Sequence, residues 1–198
     1  MNVALRDELA AMAEEDQRVR AELAADGSLF DGYHPKMRGV HDRNAARLTA
    51  VIDEHGWPGR ALVGEEGARA AWLVLQHAIG HPGLQRRGLL LLQDAVARGD
   101  VPPVEAAMLE DRIRVFEGRP QRYGTQFDWD ESGQLNPLPV EDEANVDERR
   151  RSVGLGLLAE VIQRRREGMA RSSEKPPKDW AERQRGFLAW ARSVGWRE

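Results

Sequence analysis

The feature that most constrains the fold is a series of apolar stripes at helical spacing, separated by glycine and proline breaks. In the first of them Leu5, Leu9 and Leu23 fall on one face of the segment 4–23. Apolar residues that recur every three or four positions predict an amphipathic helix. Breaks such as Asp26-Gly27 and 56–59 end such segments. The predicted helices are 4–23, 41 or 42 to 55, 65–79, 84–98, 104–116, 147–166 and one after residue 178.

Residues 117–143 have a different composition, rich in Gly, Pro, Gln, Asp and aromatic residues. Two short segments, 126–129 and 134–135, flank the turn-forming residues 130–133, which predicts a small β-hairpin. The expected fold is therefore mostly α, a single-domain bundle of six to seven helices with a loop and hairpin insertion near residues 117–143.

The chain of 198 residues is long enough for one core domain. We expect a helical core over 1–168, a polar linker over 169–178, and a C-terminal helix over 179–198 that docks on the core. Trp180, Phe187 and Trp190 recur at helical spacing in that last segment, which predicts that they form its packing face.

Charge and composition exclude several classes of function. The net charge of −4 gives no field that would gather nucleic acid. No segment approaches the roughly 18 uninterrupted apolar residues of a membrane span. The N-terminus lacks a secretory signal pattern, and the absence of cysteine fits a reducing compartment. We therefore expect a cytoplasmic protein that contacts neither nucleic acid nor membrane.

Several polar residues occupy stripe positions where a helical core should be apolar. Asp16 stands between Met12 and Val19, and Asp111 between Met108 and Val115. Further inward candidates are Asn44, Gln76, His77, Arg112 and Arg150. Because an unpaired buried charge costs several kcal/mol, these groups must pair with one another or line a cavity.

The loop 118–126 is the second polar feature. Gln121, Tyr123, Thr125 and Gln126 lie between glycines, and together they offer hydrogen-bond donors and acceptors on an adaptable backbone. A ligand-binding loop and a structured turn that satisfies buried helix ends both fit this pattern. For the helical residues, ion pairs that tie helices together are likewise an alternative to a functional site.

These elements together resemble a known family. They are Glu15-Asp16-Gln17, Asp42-x-Asn44, Gly56-Trp57-Pro58, Gln76-His77-Ala78, Asp111-Arg112, Pro120-Gln121-x-Tyr123-Gly124-Thr125-Gln126 and Asp147-x-Arg149-Arg150. The chain resembles, over about residues 5 to 160, a bacterial family catalogued only as a domain of unknown function. The resemblance implies no activity, but its motifs fall on the same inward residues.

Other site chemistries have weaker signals. His77 and His81 are four residues apart, but Gly80 and Pro82 predict that the helix ends between them, so no metal site is expected. The segment starting at Asp128 begins like a calcium loop and has Pro139 where that loop needs Glu. No phosphate-binding glycine loop or nucleophile elbow occurs, and no cofactor is expected.

The function expected from these residues is acid/base chemistry, of hydrolytic, lyase or isomerase type, on a small polar metabolite without a cofactor. His77 would be the general acid or base, Asp16 or Asp111 would orient it, and Tyr123 would donate a proton. Asn44, Gln76, Arg112, Gln121, Thr125, Gln126 and Arg150 would line the ligand site. The alternatives are a module that binds a small ligand without turnover and a regulatory or immunity-like module that binds a protein partner or a second copy.

Overall fold

The computed structural model describes residues 1–30, 32–172 and 174–198, with every side chain in those ranges except that of Phe30. The described residues are mostly helical. They form eight α-helices: α1 (Val3–Ala25), α2 (Pro35–His55), α3 (Arg60–His77), α4 (Pro82–Ala97), α5 (Pro103–Phe116), α6 (Val146–Ser152), α7 (Leu158–Ala170) and α8 (Trp180–Ser193). The predicted helical fold with a small hairpin is confirmed, with eight α-helices in place of six or seven.

The chain packs as two compact units, residues 1–106 and residues 107–198, and the division falls inside α5. The predicted linker contains Ser173, which lies outside the described residues. The first part of that linker is helical, since α7 continues to Ala170. The domain boundaries expected from the sequence stay a prediction.

In the first unit α1 packs along α3, and α2 contacts both helices. The predicted stripe of α1 is buried, including Asp16 among Leu9, Val19 and Leu23. Gly88 lets α4 approach α3, because a Cβ at this position would lie 2.6 Å from Leu75 Cδ2. Because α1, α2 and α3 contact one another, they hold the side chains that lie between them in place.

Helix α2 begins earlier than the sequence predicted. The sequence predicts a start at residue 41 or 42, but Pro35 occupies the first turn and the His34 side chain accepts a hydrogen bond from the Lys36 N–H. Proline suits this position because the first-turn N–H groups have no helical partner. The earlier start makes His41 a buried helical residue.

In the second unit the hairpin consists of β1 (Phe127–Trp129) and β2 (Leu135–Pro137), antiparallel with Asp128 opposite Asn136. Strand β2 contacts α7. The predicted helix 147–166 is two helices, because Gly154 has φ of +81° and interrupts it after α6. A positive φ is not helical, so the chain turns there and restarts as α7.

Candidate functional site

The strongest cluster of chemistry-bearing side chains lies in the first unit, where α1, α2 and α3 each contribute one residue. Asp16 of α1, His41 of α2 and His77 of α3 meet, and we call these three residues the Asp16 centre. One donor atom from each side chain lies within 4.8 Å of the donor atoms of the other two. Asp16 is 0 % exposed and His41 is 8 % exposed, so the centre is largely shielded from water.

Asp16 and His77 form its best-defined contact. Nδ1 of His77 lies 2.8 Å from Oδ1 of Asp16 with hydrogen-bond geometry. The carboxylate can only accept, so Nδ1 carries the proton and donates it. The His77 side chain is 20 % exposed, and it is the member of the centre that reaches solvent.

His41 approaches the other carboxylate oxygen. Its Nε2 lies 3.1 Å from Oδ2 of Asp16, but the contact lacks hydrogen-bond geometry. The far ring nitrogen, Nδ1, lies 2.8 Å from the Tyr33 hydroxyl. The rings of His41 and His77 have centroids 5.4 Å apart. A continuous polar chain therefore runs from Tyr33 through His41 and Asp16 to His77.

Burial alone would raise the pKa of Asp16, but contact with His41 and His77 outweighs it and lowers the pKa below the usual range. Asp16 is therefore ionised at neutral pH. Burial also raises the pKa of Tyr33, so its hydroxyl stays protonated.

Two more predicted residues flank the centre without joining it. Asn44 is buried and its side-chain amide donates to the Met12 carbonyl, 3.2 Å away on α1. Gln76 is buried at the end of α3, where its backbone carbonyl accepts a hydrogen bond from the Gln85 side chain. Gln85 also donates to the Leu75 carbonyl and so holds the helix end that presents His77.

The remaining predicted site residues belong to the second unit, where Asp111 organises the loop. Its carboxylate accepts hydrogen bonds from the backbone N–H groups of Arg122, Tyr123 and Thr125 at 2.6 to 3.2 Å. Asp111 is 0 % exposed. A buried carboxylate that collects three backbone donors is a loop clamp, which agrees with the structured-turn interpretation of this segment.

Gln121 reinforces the clamp from inside the loop. Its side chain is fully buried, accepts from the Gln126 N–H at 2.8 Å and donates to the Leu138 carbonyl at 2.7 Å. The Gln126 side chain donates to the Thr125 hydroxyl. These amides are committed to the loop backbone and its neighbours.

Arg150 also supports this loop. Its buried guanidinium donates to the carbonyls of Tyr123 and Gly156. Burial raises the pKa of the Tyr123 phenol, and Glu110 adds to the effect. Arg112 follows Asp111 on α5 and is half-buried. The expectation that both sets of residues line one ligand site stays a prediction.

The first unit also contains a cavity of about 240 Å³ that does not include the Asp16 centre. It is lined by Arg60, Glu65, Ala68, Arg69, Asp100, Val101, Pro102 and Glu105. Burial raises the pKa of Glu105 to about 7, although Arg60 and Arg69 oppose this. The Asp100 side chain accepts a hydrogen bond from the Ala61 N–H, and Arg60 donates to the carbonyls of Gly99 and Asp100. These hydrogen bonds connect the start of α3 to residues 99–100, so Arg60 and Asp100 have a structural role in the lining.

Asp16 and His77 were candidates from the sequence alone, whereas His41 and Tyr33 were not. Both lie at or before the start that the sequence predicts for α2. The signal for His41 was present, because Met37, His41, Asn44 and Leu48 follow one another at steps of four, three and four. Extending the stripe of α2 toward Pro35 would have placed His41 on its buried face.

Among the described residues, none of the helices has the length and apolar character needed to cross a membrane.

Comparison with known proteins identifies a family and no activity. No curated protein and no solved structure matches the chain. A model of a family of unknown function, DUF6624, matches residues 3–170, a segment that includes the Asp16 centre and the Asp111 loop. The chain therefore belongs to the DUF6624 family of unknown function.

Proposed function

We propose that this protein is an enzyme that performs acid/base chemistry on a small polar molecule, with the Asp16 centre as its chemical site. His77 exchanges the proton with water or substrate, and Asp16 orients it. The reaction class is hydrolytic, lyase or isomerase, since each of these needs a positioned proton acceptor.

The observation that carries the proposal is the buried contact between Asp16 Oδ1 and His77 Nδ1 at 2.8 Å. A buried carboxylate on one ring nitrogen fixes the tautomer and stabilises the imidazolium that forms when the ring takes up a proton. Because Nδ1 is engaged by Asp16, proton exchange with a substrate takes place at Nε2. The 20 % exposure of the His77 side chain gives a small molecule access to this ring.

The other two members of the polar chain support Asp16. His41 approaches its second oxygen, and the Tyr33 hydroxyl holds the far side of the His41 ring. All of the contacts come from helices or the residues just before α2, so the carboxylate has little freedom to rotate away from His77. Rigid support of this kind is what a catalytic group needs in order to keep its geometry.

A turnover screen tests the proposal. The full-length protein is incubated with a mixture of polar metabolites, and the loss of each compound is followed by mass spectrometry. The rates of the wild type are compared with those of Asp16→Asn and His77→Gln. We expect the wild type to convert at least one compound, and each variant to lose about 100-fold to 10,000-fold of that rate, the usual contribution of general acid/base catalysis.

His81→Gln is the matched control. His81 Nε2 lies 2.8 Å from Asp42 Oδ1, so it forms the same type of pair, but more exposed and outside the centre. It should keep the wild-type rate. Conversion that persists in His77→Gln contradicts the proposal. A compound that the wild type binds and leaves unchanged indicates the non-catalytic ligand-binding alternative.

A further inference from the structure

We infer that Asp16, His41 and His77 also form a binding site for one divalent transition-metal ion of the zinc class. The inference rests on the proposed function, because it concerns the same centre. It differs in that the metal ion, in place of His77, would activate a water molecule for the reaction.

The donor set is the first argument. Two imidazoles and one carboxylate are a recurring protein set for catalytic Zn²⁺, which takes three protein ligands and keeps an open position. The three donor atoms lie within 4.8 Å of one another, and each comes from a different helix. Imidazole nitrogens favour zinc-like ions over Mg²⁺ or Ca²⁺, which prefer oxygen ligands.

The spacing at Asp16 is close to that of such an ion. Ligand bonds of about 2.0 to 2.2 Å at a tetrahedral angle place neighbouring donors about 3.3 Å apart. Asp16 and His41 are 3.1 Å apart at their facing atoms, and Asp16 and His77 are 2.8 Å apart. These two contacts would lengthen by a few tenths of an ångström to admit the ion, and the donor atoms of His41 and His77, which lie within 4.8 Å of each other, would have to settle at the same tetrahedral spacing.

The facing atoms of Asp16 and His41 supply a second, independent observation. Oδ2 of Asp16 and Nε2 of His41 are both buried, and neither has a hydrogen bond among the described residues. Two buried polar atoms that face each other at 3.1 Å without a well-aligned hydrogen bond forgo part of the stabilisation that a better-placed partner would give. A cation bound by both atoms is such a partner.

The outer contact of His41 fits the same assignment. Histidines that bind metal usually donate the other ring N–H to a neighbouring group, which fixes the tautomer. Here Tyr33 Oη lies 2.8 Å from His41 Nδ1, so an Nδ1–H can donate to it and leave the Nε2 lone pair for the ion. Of the three ligands, His77 has the most exposed side chain, at 20 %, so solvent would approach the ion most readily from its side.

To bind the ion, His77 Nδ1 would lose to solvent the proton that it donates to Asp16 in the metal-free protein, and the ion would then activate water in place of His77. The ion would supply a water molecule that gives up a proton to solvent near neutral pH and serves as the nucleophile or base for the reaction. No oxidant, reductant or other co-reactant is required.

Calorimetric titration of untagged, chelator-stripped full-length protein with Zn²⁺ alone tests the inference without any substrate. We expect one site with a Kd of about 1 µM or below. Asp16→Asn, His41→Gln and His77→Gln should each weaken binding at least about 100-fold, and Tyr33→Phe about 10-fold, as expected for an outer contact. Circular dichroism identifies variants that remain folded. Co²⁺ absorption of the wild type provides a readout that does not depend on variant folding, because tetrahedral coordination intensifies its visible bands.

His81→Gln is again the control and should bind Zn²⁺ like the wild type. The inference is overturned if the wild type does not bind Zn²⁺, if folded ligand variants bind as tightly as the wild type, or if His81→Gln weakens binding as much as they do. Six-coordinate Co²⁺ bands with no change upon His41→Gln overturn it as well. If the protein does not bind Zn²⁺ but the metal-free protein still converts a substrate, the metal site is rejected and the proposed function stands.

Discussion

Oδ1 of Asp16 and Nδ1 of His77 lie 2.8 Å apart, which joins two helices whose residues are separated by 61 positions in the chain. The carboxylate is fully buried, whereas the imidazole is partly exposed. Asp16 therefore has two effects at once, since it ties α1 to α3 and orients a side chain that solvent can reach. Unfolding experiments report the first effect, and NMR of the imidazoles reports the second.

Replacement of Asp16 by alanine should destabilise the fold. Both imidazoles lose their buried partner, and we expect the free energy of unfolding to fall by about 3 kcal/mol, in the range for breaking a buried polar pair. Urea unfolding measures this loss. Glu15→Ala is the control, because Glu15 pairs with Arg43 at the surface and should cost less than about 1 kcal/mol. Equal losses in the two variants would contradict a structural role for the buried pair.

Asp111→Ala should loosen the loop at residues 122–125. Three backbone donors lose their common acceptor, so we expect a loss of about 2 to 3 kcal/mol and faster amide hydrogen exchange at Tyr123 and Thr125. Hydrogen exchange followed by NMR resolves these amides. Glu131→Ala, at an exposed hairpin position, is the control. Unchanged protection at Tyr123 and Thr125 would show that another group holds the loop.

Glu105 should make the fold less stable as pH rises. Its pKa in the folded protein is about 7, above the ordinary value of 4.5, so the folded state binds the proton more tightly. Stability therefore falls between pH 4.5 and about 7 and stays low above that. Because the group is partly solvated, the change should be about 1 kcal/mol.

Urea unfolding of the wild type and Glu105→Gln at pH 5 and pH 8 checks this prediction. Glutamine cannot ionise, so the variant should gain stability relative to the wild type at pH 8. Glu66→Gln, an exposed substitution on α3, should show no such difference between the two pH values. A relative stability of Glu105→Gln that does not depend on pH contradicts the assignment.

The end of the chain should contribute to the stability of the second unit. Trp196 is 3 % exposed, and its ring centroid lies 5.1 Å from that of Phe116. Arg197 also donates to the carbonyls of Val115 and Phe116 at the end of α5. Trp196→Ala should cost about 3 kcal/mol in urea unfolding, as for other buried aromatic residues. Arg185→Ala, an exposed position on α8, should cost under about 0.5 kcal/mol.

The helical architecture was readable from periodicity because burial selects one face of each helix. Leu9, Val19 and Leu23 follow the stripe that the sequence predicts, and Asp16 was conspicuous because it interrupts that stripe. The split between α6 and α7 was missed, because the apolar spacing continues across Gly154 although its φ is positive. Periodicity reports which residues are apolar and does not report a local change in backbone angle.

The sequence predicts the candidate site only in part, because a polar residue on an apolar helix face has the same sequence pattern whatever it contacts. Asp16 and Asp111 occupy equivalent stripe positions, yet one faces two imidazoles and the other receives three backbone N–H groups. That distinction depends on contacts between residues 25 and 61 positions apart in one case and 11 to 14 in the other. The spacing within a single helix carries no information about such partners.

The central claim is that Asp16 and His77 act as one unit, and nitrogen-15 NMR of the imidazoles in metal-free protein tests it most directly. The account predicts that His77 carries its proton on Nδ1, hydrogen-bonded to Asp16, and that Asp16→Ala abolishes this preference. A neutral His77 with its proton on Nε2 in the wild type, unchanged by the substitution, would contradict the claim.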